Sequence, residues 1–235
     1  MEGITTRARR GMPGRWSGLQ AGVLGANDGI ISVAAIAVGV AGVTSDIATI
    51  LPATVAALAG GAISIAVSEY VAVSSQRDSE VALIARERAE LAADPAAKLA
   101  ELAGLYAARG LSPADAHRVA EELTARDALR AHLTMEASLD PDDVVRPWRS
   151  ALATAATFAA GAALPFLSIL LPPAIRVPAT FGVVVVALIA TGASAAIAGG
   201  SGVVRGTLRV VTGGIAALAA TYLLGVALGA SGWVG

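Results

Sequence analysis

The chain has 235 residues, of which 55% are hydrophobic and 15% are charged, and its mean hydropathy is +0.69. Soluble domains carry about 25% charged residues, so this composition excludes an ordinary soluble protein. A net charge of −1 indicates no bulk affinity for nucleic acid, and the absence of cysteine excludes disulfides and thiolate metal sites.

Five long stretches, uncharged except for one aspartate, account for the high hydropathy. About 20 apolar residues cross a bilayer as an α-helix. The stretches are Trp16–Ser45, Ile47–Ser68, Ser150–Ile175, Val177–Val204 and Val210–Gly235. They predict an all-α integral membrane protein with five transmembrane helices. The first stretch is too long for a signal peptide and is predicted to be a retained helix.

The segment between the second and third stretches is polar, because 14 of the 18 acidic residues lie between Asp78 and Asp143. The second stretch has no helix breaker at its inner end before Asp94-Pro95, which predicts one helix, or two nearly coaxial helices, over Ile47–Ala93. Asp94 and Ser112 each precede a proline, a pattern typical of helix starts. The pattern at Ser112 predicts one further helix, or two, after it.

The sequence therefore predicts a helical insert between transmembrane helices 2 and 3. The predicted segments are a basic N-terminus (1–15), transmembrane helices 1 and 2 (16–75), the insert (76–147) and transmembrane helices 3–5 (148–235).

The basic residues predict the orientation, because cytoplasmic loops are enriched in Lys and Arg. The N-terminus, the insert and a loop carrying Arg205 and Arg209 are predicted to be cytoplasmic, whereas the loop carrying Arg176 faces the other side. Tryptophans at span ends are predicted to be interfacial anchors: Trp16, Trp148 and Trp233.

Asp28 is the only charge in the first span. A charge at mid-bilayer costs at least ~2.5–3.5 kcal/mol, and such residues usually mark an ion or proton path. Asn27 adds a carbonyl oxygen and Gly29 permits close backbone approach. The alternative is a carboxylate that serves packing or stays protonated. Glu69, near the cytoplasmic end of span 2, is an entrance ligand, a proton acceptor or an interfacial acid.

The insert carries acidic residues at helical spacing together with one histidine. Carboxylates and histidine on facing helices are typical of iron and manganese sites. The candidate metal ligands are Glu87, Glu90, Glu101, His132, Met135 and Glu136. The alternative is a solvated acidic face paired with Arg86, Arg88 and Arg130.

Several segments resemble the vacuolar iron transporter (VIT) family, in its bacterial branch, over nearly the whole chain from Arg15. They are "GANDGIISVAAIAVGVAG", "AGGAISIAVSEYVAVSSQRDSE", "ERAELAADP", "LYAARGL", "DPDDVVRPWRSAL" and "RGTLRVVTGGIAALAATYLLG". The resemblance implies a homodimer with five membrane helices per subunit and a cytoplasmic three-helix metal-binding domain between helices 2 and 3. It also implies export of Fe²⁺, and often Mn²⁺, from the cytosol by exchange with protons, for iron and manganese homeostasis. The implied location is the bacterial cell membrane.

The resemblance assigns residues position by position. Asp28 matches the family's translocation-path aspartate, and Ile65 stands where the family has a methionine. Lys98 stands where the family has a glutamate ligand. The family's insert glutamates match Glu87, Glu90, Glu101 and Glu136, with His132 and Met135 near the family's remaining ligands.

Two functions remain open on the sequence. One is a proton-coupled Fe²⁺ or Mn²⁺ transporter, and the other is a membrane-anchored metal-binding or buffering protein that does not transport. An enzyme is not expected, because the sequence has no nucleophile–base arrangement, phosphate loop or cofactor fingerprint. No prosthetic group is expected, so the predicted partners are divalent metal ions, protons, the lipid bilayer and a second copy of the chain.

Overall fold

The computed structural model describes the backbone of residues 14–231 and the side chains of residues 22–231. All regular structure in that range is helical. The helices are α1 (Gly14–Val43), α2 (Ile47–Ala93), α3 (Pro95–Ala107), α4 (Pro113–Ala137), α5 (Pro147–Ser168), α6 (Pro173–Ala198) and α7 (Val203–Ala230). The basic N-terminal residues before residue 14, the side chain of Trp16 and the anchor Trp233 lie outside the described residues.

Five of these helices, α1, α2, α5, α6 and α7, are long and apolar enough to cross a membrane. The predicted fold class, an all-α integral membrane protein with five spans, is therefore confirmed. The cytoplasmic orientation of the insert stays a prediction.

The insert helices begin where capping residues predict. Helix α2 runs unbroken over Ile47–Ala93. Asp94 then caps α3 by accepting a 2.9 Å hydrogen bond from the Ala97 amide, and Ser112 caps α4 by accepting a 3.2 Å bond from Asp115. Gly110, with φ +102°, turns the chain between them, a conformation that favours glycine.

Helix α4 is bent at Asp127, whose backbone leaves the helical region. The Asp127 carboxylate accepts a 3.0 Å hydrogen bond from the Arg130 amide, so it caps the second half of the helix. Arg130 also forms ion pairs with Asp140 and Asp142 at the end of the insert. The last insert helix is thus two helical segments joined at a cap.

The predicted loop positions of three arginines are wrong. Arg176 lies in the first turn of α6, and Arg205 and Arg209 lie in the first two turns of α7. The end of an uncharged stretch marks a charged residue, but it does not mark the end of a helix. Helix α6 begins at Pro173, three residues before Arg176, because proline favours the first turn of a helix. Arg176 is buried and donates to the carbonyls of Leu171 and Ser45.

The described chain divides into two compact units. One includes Val71–Pro147, and the other consists of the described parts of Met12–Tyr70 and Trp148–Gly235. Helix α2 contributes residues to both units. The domain limits predicted from the sequence therefore stay predictions. Trp148 is exposed and its ring packs on Tyr70 with centroids 4.8 Å apart.

We call the unit formed by the described parts of Met12–Tyr70 and Trp148–Gly235 the membrane unit. Helix α1 lies at its centre, because the residues of α1 contribute to three separate apolar clusters. Ile30, Ala34 and Val38 pack on α6 and α7. Val33 packs on Phe158 of α5 and on α2, and Ala37 packs on Ile50 and Ile169. The helix that carries Asp28 is thus held on several sides by its neighbours.

The crossing of α1 and α5 brings the two backbones together. A Cβ atom at Gly29 would clash with the carbonyl of Phe158, and one at Gly161 would clash with the carbonyl of Ala26. Small residues permit such close packing in lipid, where van der Waals contact drives helix association. This crossing fixes the segment of α1 around Asp28.

We expect Gly161→Ala to destabilise the membrane unit by about 1–3 kcal/mol, because the new methyl group must separate α1 from α5. The check is the temperature at which the detergent-purified protein loses its folded peak in size-exclusion chromatography. Gly182→Ala is the matched control, because a Cβ there meets open space. Equal stability of the two variants would contradict the close crossing.

Candidate metal centre and transmembrane carboxylate

The insert brings together three candidate metal ligands from α2 and α4. One ligand atom from each of Glu87, His132 and Glu136 lies within 4.8 Å of the others. The i,i+4 spacing of His132 and Glu136 places both on one face of α4, and that face packs towards Glu87. The set provides one nitrogen and two carboxylate oxygens, which suit iron or manganese.

His132 is the most buried member of this group. Its side chain is fully buried, and its Nδ1 lies 2.9 Å from Glu136 Oε1 and 3.3 Å from Glu87 Oε1. Its other ring nitrogen, Nε2, is buried and has no hydrogen-bond partner within the part of the chain that the structure describes. The imidazole therefore faces the two carboxylates through Nδ1.

Lys98 of α3 lies in the middle of the acidic residues. Its Nζ is 2.8 Å from Glu87 Oε1 and 2.8 Å from Glu101 Oε2, with Glu90 and Glu136 at 3.5 and 3.7 Å. Among the described residues, Oε1 of the buried Glu87 carboxylate has ionic contacts to Lys98 and His132 but no hydrogen-bond partner beyond them. Lys98 is thus an ionic partner of every candidate glutamate.

The acidic surroundings set the charge state of Lys98. Burial by itself lowers the pKa of this ammonium, but the adjacent Glu101 and Glu87 carboxylates and the charge of Glu136 outweigh it, so the pKa is raised. Lys98 is therefore charged at neutral pH.

Glu90 is paired with Arg86 at the surface. Arg86 Nε lies 2.7 Å from Glu90 Oε1, and this hydrogen bond holds the pKa of Glu90 below its usual value. Four carboxylates against Lys98 and Arg86 leave a formal charge of −2 on the cluster. That charge matches a divalent cation.

The other insert candidates are placed differently. Glu101 is about half exposed and reaches the cluster only through Lys98. Met135 packs with Leu102 and Ala120 in the apolar core between α3 and α4. Of the arginines considered as partners of an acidic face, Arg86 pairs with Glu90, whereas Arg130 pairs with aspartates outside the cluster.

Asp28 lies on the face of α1 that the described residues leave exposed. Leu24 and Ile36, four residues before and eight after it, are 62% and 44% exposed on the same face. Ser32, one turn after Asp28, donates a 2.9 Å hydrogen bond to its carboxylate. The only acidic side chain of this span therefore points away from the bundle of its own chain.

The remaining membrane candidates do not join Asp28. Asn27 accepts a 3.2 Å hydrogen bond from Thr191 of α6, so its side chain points towards the bundle. Ile65 packs in the apolar cluster of Val33 and Phe158, and Glu69 is half-buried on α2.

The sequence pattern indicates a missing ligand at Lys98 and does not predict the position of Lys98 at the centre of the acids. Two signals were present. Lys98 is the only lysine in the chain, and it precedes Glu101 by one helical turn on the same face of α3.

Fold and site together define a class: a five-span membrane protein with an acid-rich helical insert after its second span. The chain belongs to the VIT family, whose model matches residues 19–226. The chain is 39% identical over 209 residues to a vacuolar iron transporter of Acanthamoeba castellanii, covering 88% of this chain and 77% of that one. It is 34% identical to vacuolar iron transporter homolog 1 of Oryza sativa subsp. japonica, covering 87% of this chain and 71% of that one.

Proposed function

We propose that this chain is a divalent-metal transporter that exports Fe²⁺ or Mn²⁺ from the cytosol in exchange for protons. Membership of the VIT family and similarity to proteins named vacuolar iron transporters support the transport of iron. The observation that carries the proposal is the placement of Asp28, a carboxylate on an exposed face of an apolar span.

A carboxylate at this place is unfavourable if it faces lipid, because the cost is at least ~2.5–3.5 kcal/mol. Asp28 therefore faces a second copy of the chain or a water-filled path. We favour a homodimer, in which two symmetry-related Asp28 side chains flank one path. A further exposed face on α2, with small residues at Gly60, Ser64 and Ser68, offers a surface for close helix packing.

Exchange of metal for protons follows from the chemistry of one carboxylate. A cation that leaves water loses part of its hydration shell, and carboxylate and carbonyl oxygens replace it. When the metal leaves, the same oxygens accept a proton. Metal and proton thus compete for Asp28, and the return of the protonated carboxylate moves H⁺ in the opposite direction.

The insert supplies metal binding on the cytosolic side. Glu87, His132 and Glu136 are the proposed ligands, because their ligand atoms lie within 4.8 Å of one another. Glu90 and Glu101 add negative charge beside this group, where both contact Lys98. Such a site raises the local concentration of divalent cations beside the membrane.

The proposed orientation places the insert in the cytoplasm and the α1–α2 loop on the opposite side of the bacterial plasma membrane. Ala114 and Ser45 are exposed in these two segments, and the chain has no cysteine of its own. We expect Ala114→Cys to react with an impermeant maleimide only after the cells are opened, and Ser45→Cys to react in intact cells. Labelling of both variants from the same side would contradict this topology.

The direct test of transport is Mn²⁺ uptake into proteoliposomes. Vesicles with an acidic interior should take up Mn²⁺ faster than vesicles without a pH gradient, and a protonophore should remove the difference. If the protein binds Mn²⁺ but its vesicles take up no more than protein-free vesicles, the chain is a membrane-anchored metal-binding protein.

A further inference from the structure

Lys98 differs from every other basic residue of the chain. It is the only lysine beside 16 arginines, and its side chain is 8% exposed. A lysine ammonium is a compact point charge with three donors, whereas the arginine guanidinium is a flat fork. Only the ammonium resembles a small cation in the centre of converging carboxylates.

The surroundings of Lys98 Nζ resemble those of a bound cation. Oxygens of four carboxylates lie between 2.8 and 3.7 Å from it. These carboxylates come from all three insert helices, α2, α3 and α4. The ammonium therefore links the helices by charge, as a metal ion in the same cluster would.

The ammonium and a metal ion need the same oxygen atom. Glu87 Oε1 lies 2.8 Å from Lys98 Nζ and 3.3 Å from His132 Nδ1. This oxygen is the one through which Glu87 approaches His132, and it is buried. A metal held by Glu87 and His132 would lie next to a positive charge that already occupies its carboxylate.

We propose that the Lys98 ammonium is a tethered cation that competes with divalent metal for Glu87 in the insert. This inference rests on the proposed metal centre. It has two consequences: the three insert helices hold together without metal, and metal enters only when Lys98 leaves Glu87.

Lys98 has a partner to which it can move. Glu101 lies one turn further along α3, is about half exposed and already contacts Nζ at 2.8 Å. Rotation of the flexible lysine stem towards Glu101 and solvent keeps one ion pair and releases Glu87. When a metal ion enters, it replaces the Lys98 ammonium at Glu87. The affinity of the site for metal is therefore lower than its number of carboxylates indicates.

The test is calorimetric titration of Mn²⁺ into the full-length protein in detergent. We expect Lys98→Gln to tighten binding at least about tenfold, because a unit charge beside the metal is removed. Arg118→Gln is the matched control, because it removes one positive charge that pairs with Asp115, outside the cluster. It should leave the affinity unchanged.

Thermal unfolding gives a second readout. The unfolding temperature of the wild type without added metal should not change when EDTA is present. Lys98→Gln should unfold at a lower temperature than the wild type in EDTA and should regain stability when Mn²⁺ is added. If Lys98→Gln is folded and binds Mn²⁺ no more tightly than the wild type, the competition is refuted while the metal centre stands. If neither protein binds Mn²⁺, the metal centre itself is refuted.

A measurement on the wild-type protein tests the same proposal even if Lys98→Gln fails to fold. Because Lys98 is the only lysine, amine acylation of the peptide that contains it reports its exposure. Mn²⁺ should accelerate this acylation, since the metal displaces the ammonium from Glu87. An unchanged or slower rate at saturating Mn²⁺ would overturn the proposal.

Discussion

Asp28→Asn should reduce Mn²⁺ uptake by proteoliposomes to the level of protein-free vesicles. The amide keeps the size of the side chain and can still accept the hydrogen bond from Ser32, but it carries no charge and binds no proton. Both halves of the proposed exchange are therefore lost at one residue. We expect the variant to insert and to elute like the wild type in size-exclusion chromatography, because Asp28 lies outside the packed face of α1.

Two further variants distinguish the effect of a carboxylate at position 28 from the effect of overall negative charge. Asp28→Glu restores a carboxylate one methylene further from the backbone and should retain part of the transport. Asp46→Asn is the control. Asp46 lies between α1 and α2, and its carboxylate accepts hydrogen bonds from the Ala48 amide and the Thr49 hydroxyl. Loss of transport in the control as well would show that uptake depends on overall charge and not on the Asp28 position.

Glu87→Gln should weaken Mn²⁺ binding by the insert more than any other single glutamine substitution in the cluster. Glu87 is buried and contacts both His132 and Lys98. Loss of a supporting group around a metal typically costs about 10–100-fold in affinity, and loss of a ligand should cost at least as much. Calorimetric titration of the full-length protein measures this change.

The matched control for the insert is Glu121→Gln. Glu121 pairs with His117 at the same i,i+4 spacing on the same helix as Glu136 and His132, but both residues are exposed. A histidine and a glutamate without the third ligand should contribute nothing to binding. Equal losses in Glu87→Gln and Glu121→Gln would indicate diffuse attraction by surface acids instead of a centre.

The sequence predicted most of the architecture because the relevant signals are local. The lengths of the apolar stretches predicted five spans, and the caps at Asp94 and Ser112 predicted where the insert helices start. Helix ends in the membrane were less predictable. Arg176, Arg205 and Arg209 marked the limits of uncharged sequence, but the helices include them.

The site was predictable as a set of residues and not as an arrangement. Helical spacing joined His132 to Glu136, but only tertiary packing shows that Glu87 completes the group and that Met135 faces the apolar core. The central position of Lys98 depends on how α3 packs against α4, which no local pattern encodes. Likewise, a single span cannot show which face of α1 its neighbours leave uncovered.

The most direct test of proton-coupled metal transport is simultaneous recording of Mn²⁺ and pH inside proteoliposomes that start acidic. With wild-type protein, Mn²⁺ entry should be accompanied by alkalinisation of the interior, and both signals should vanish with Asp28→Asn. Mn²⁺ entry without any pH change, or full exchange by Asp28→Asn, would contradict proton-coupled metal transport through Asp28.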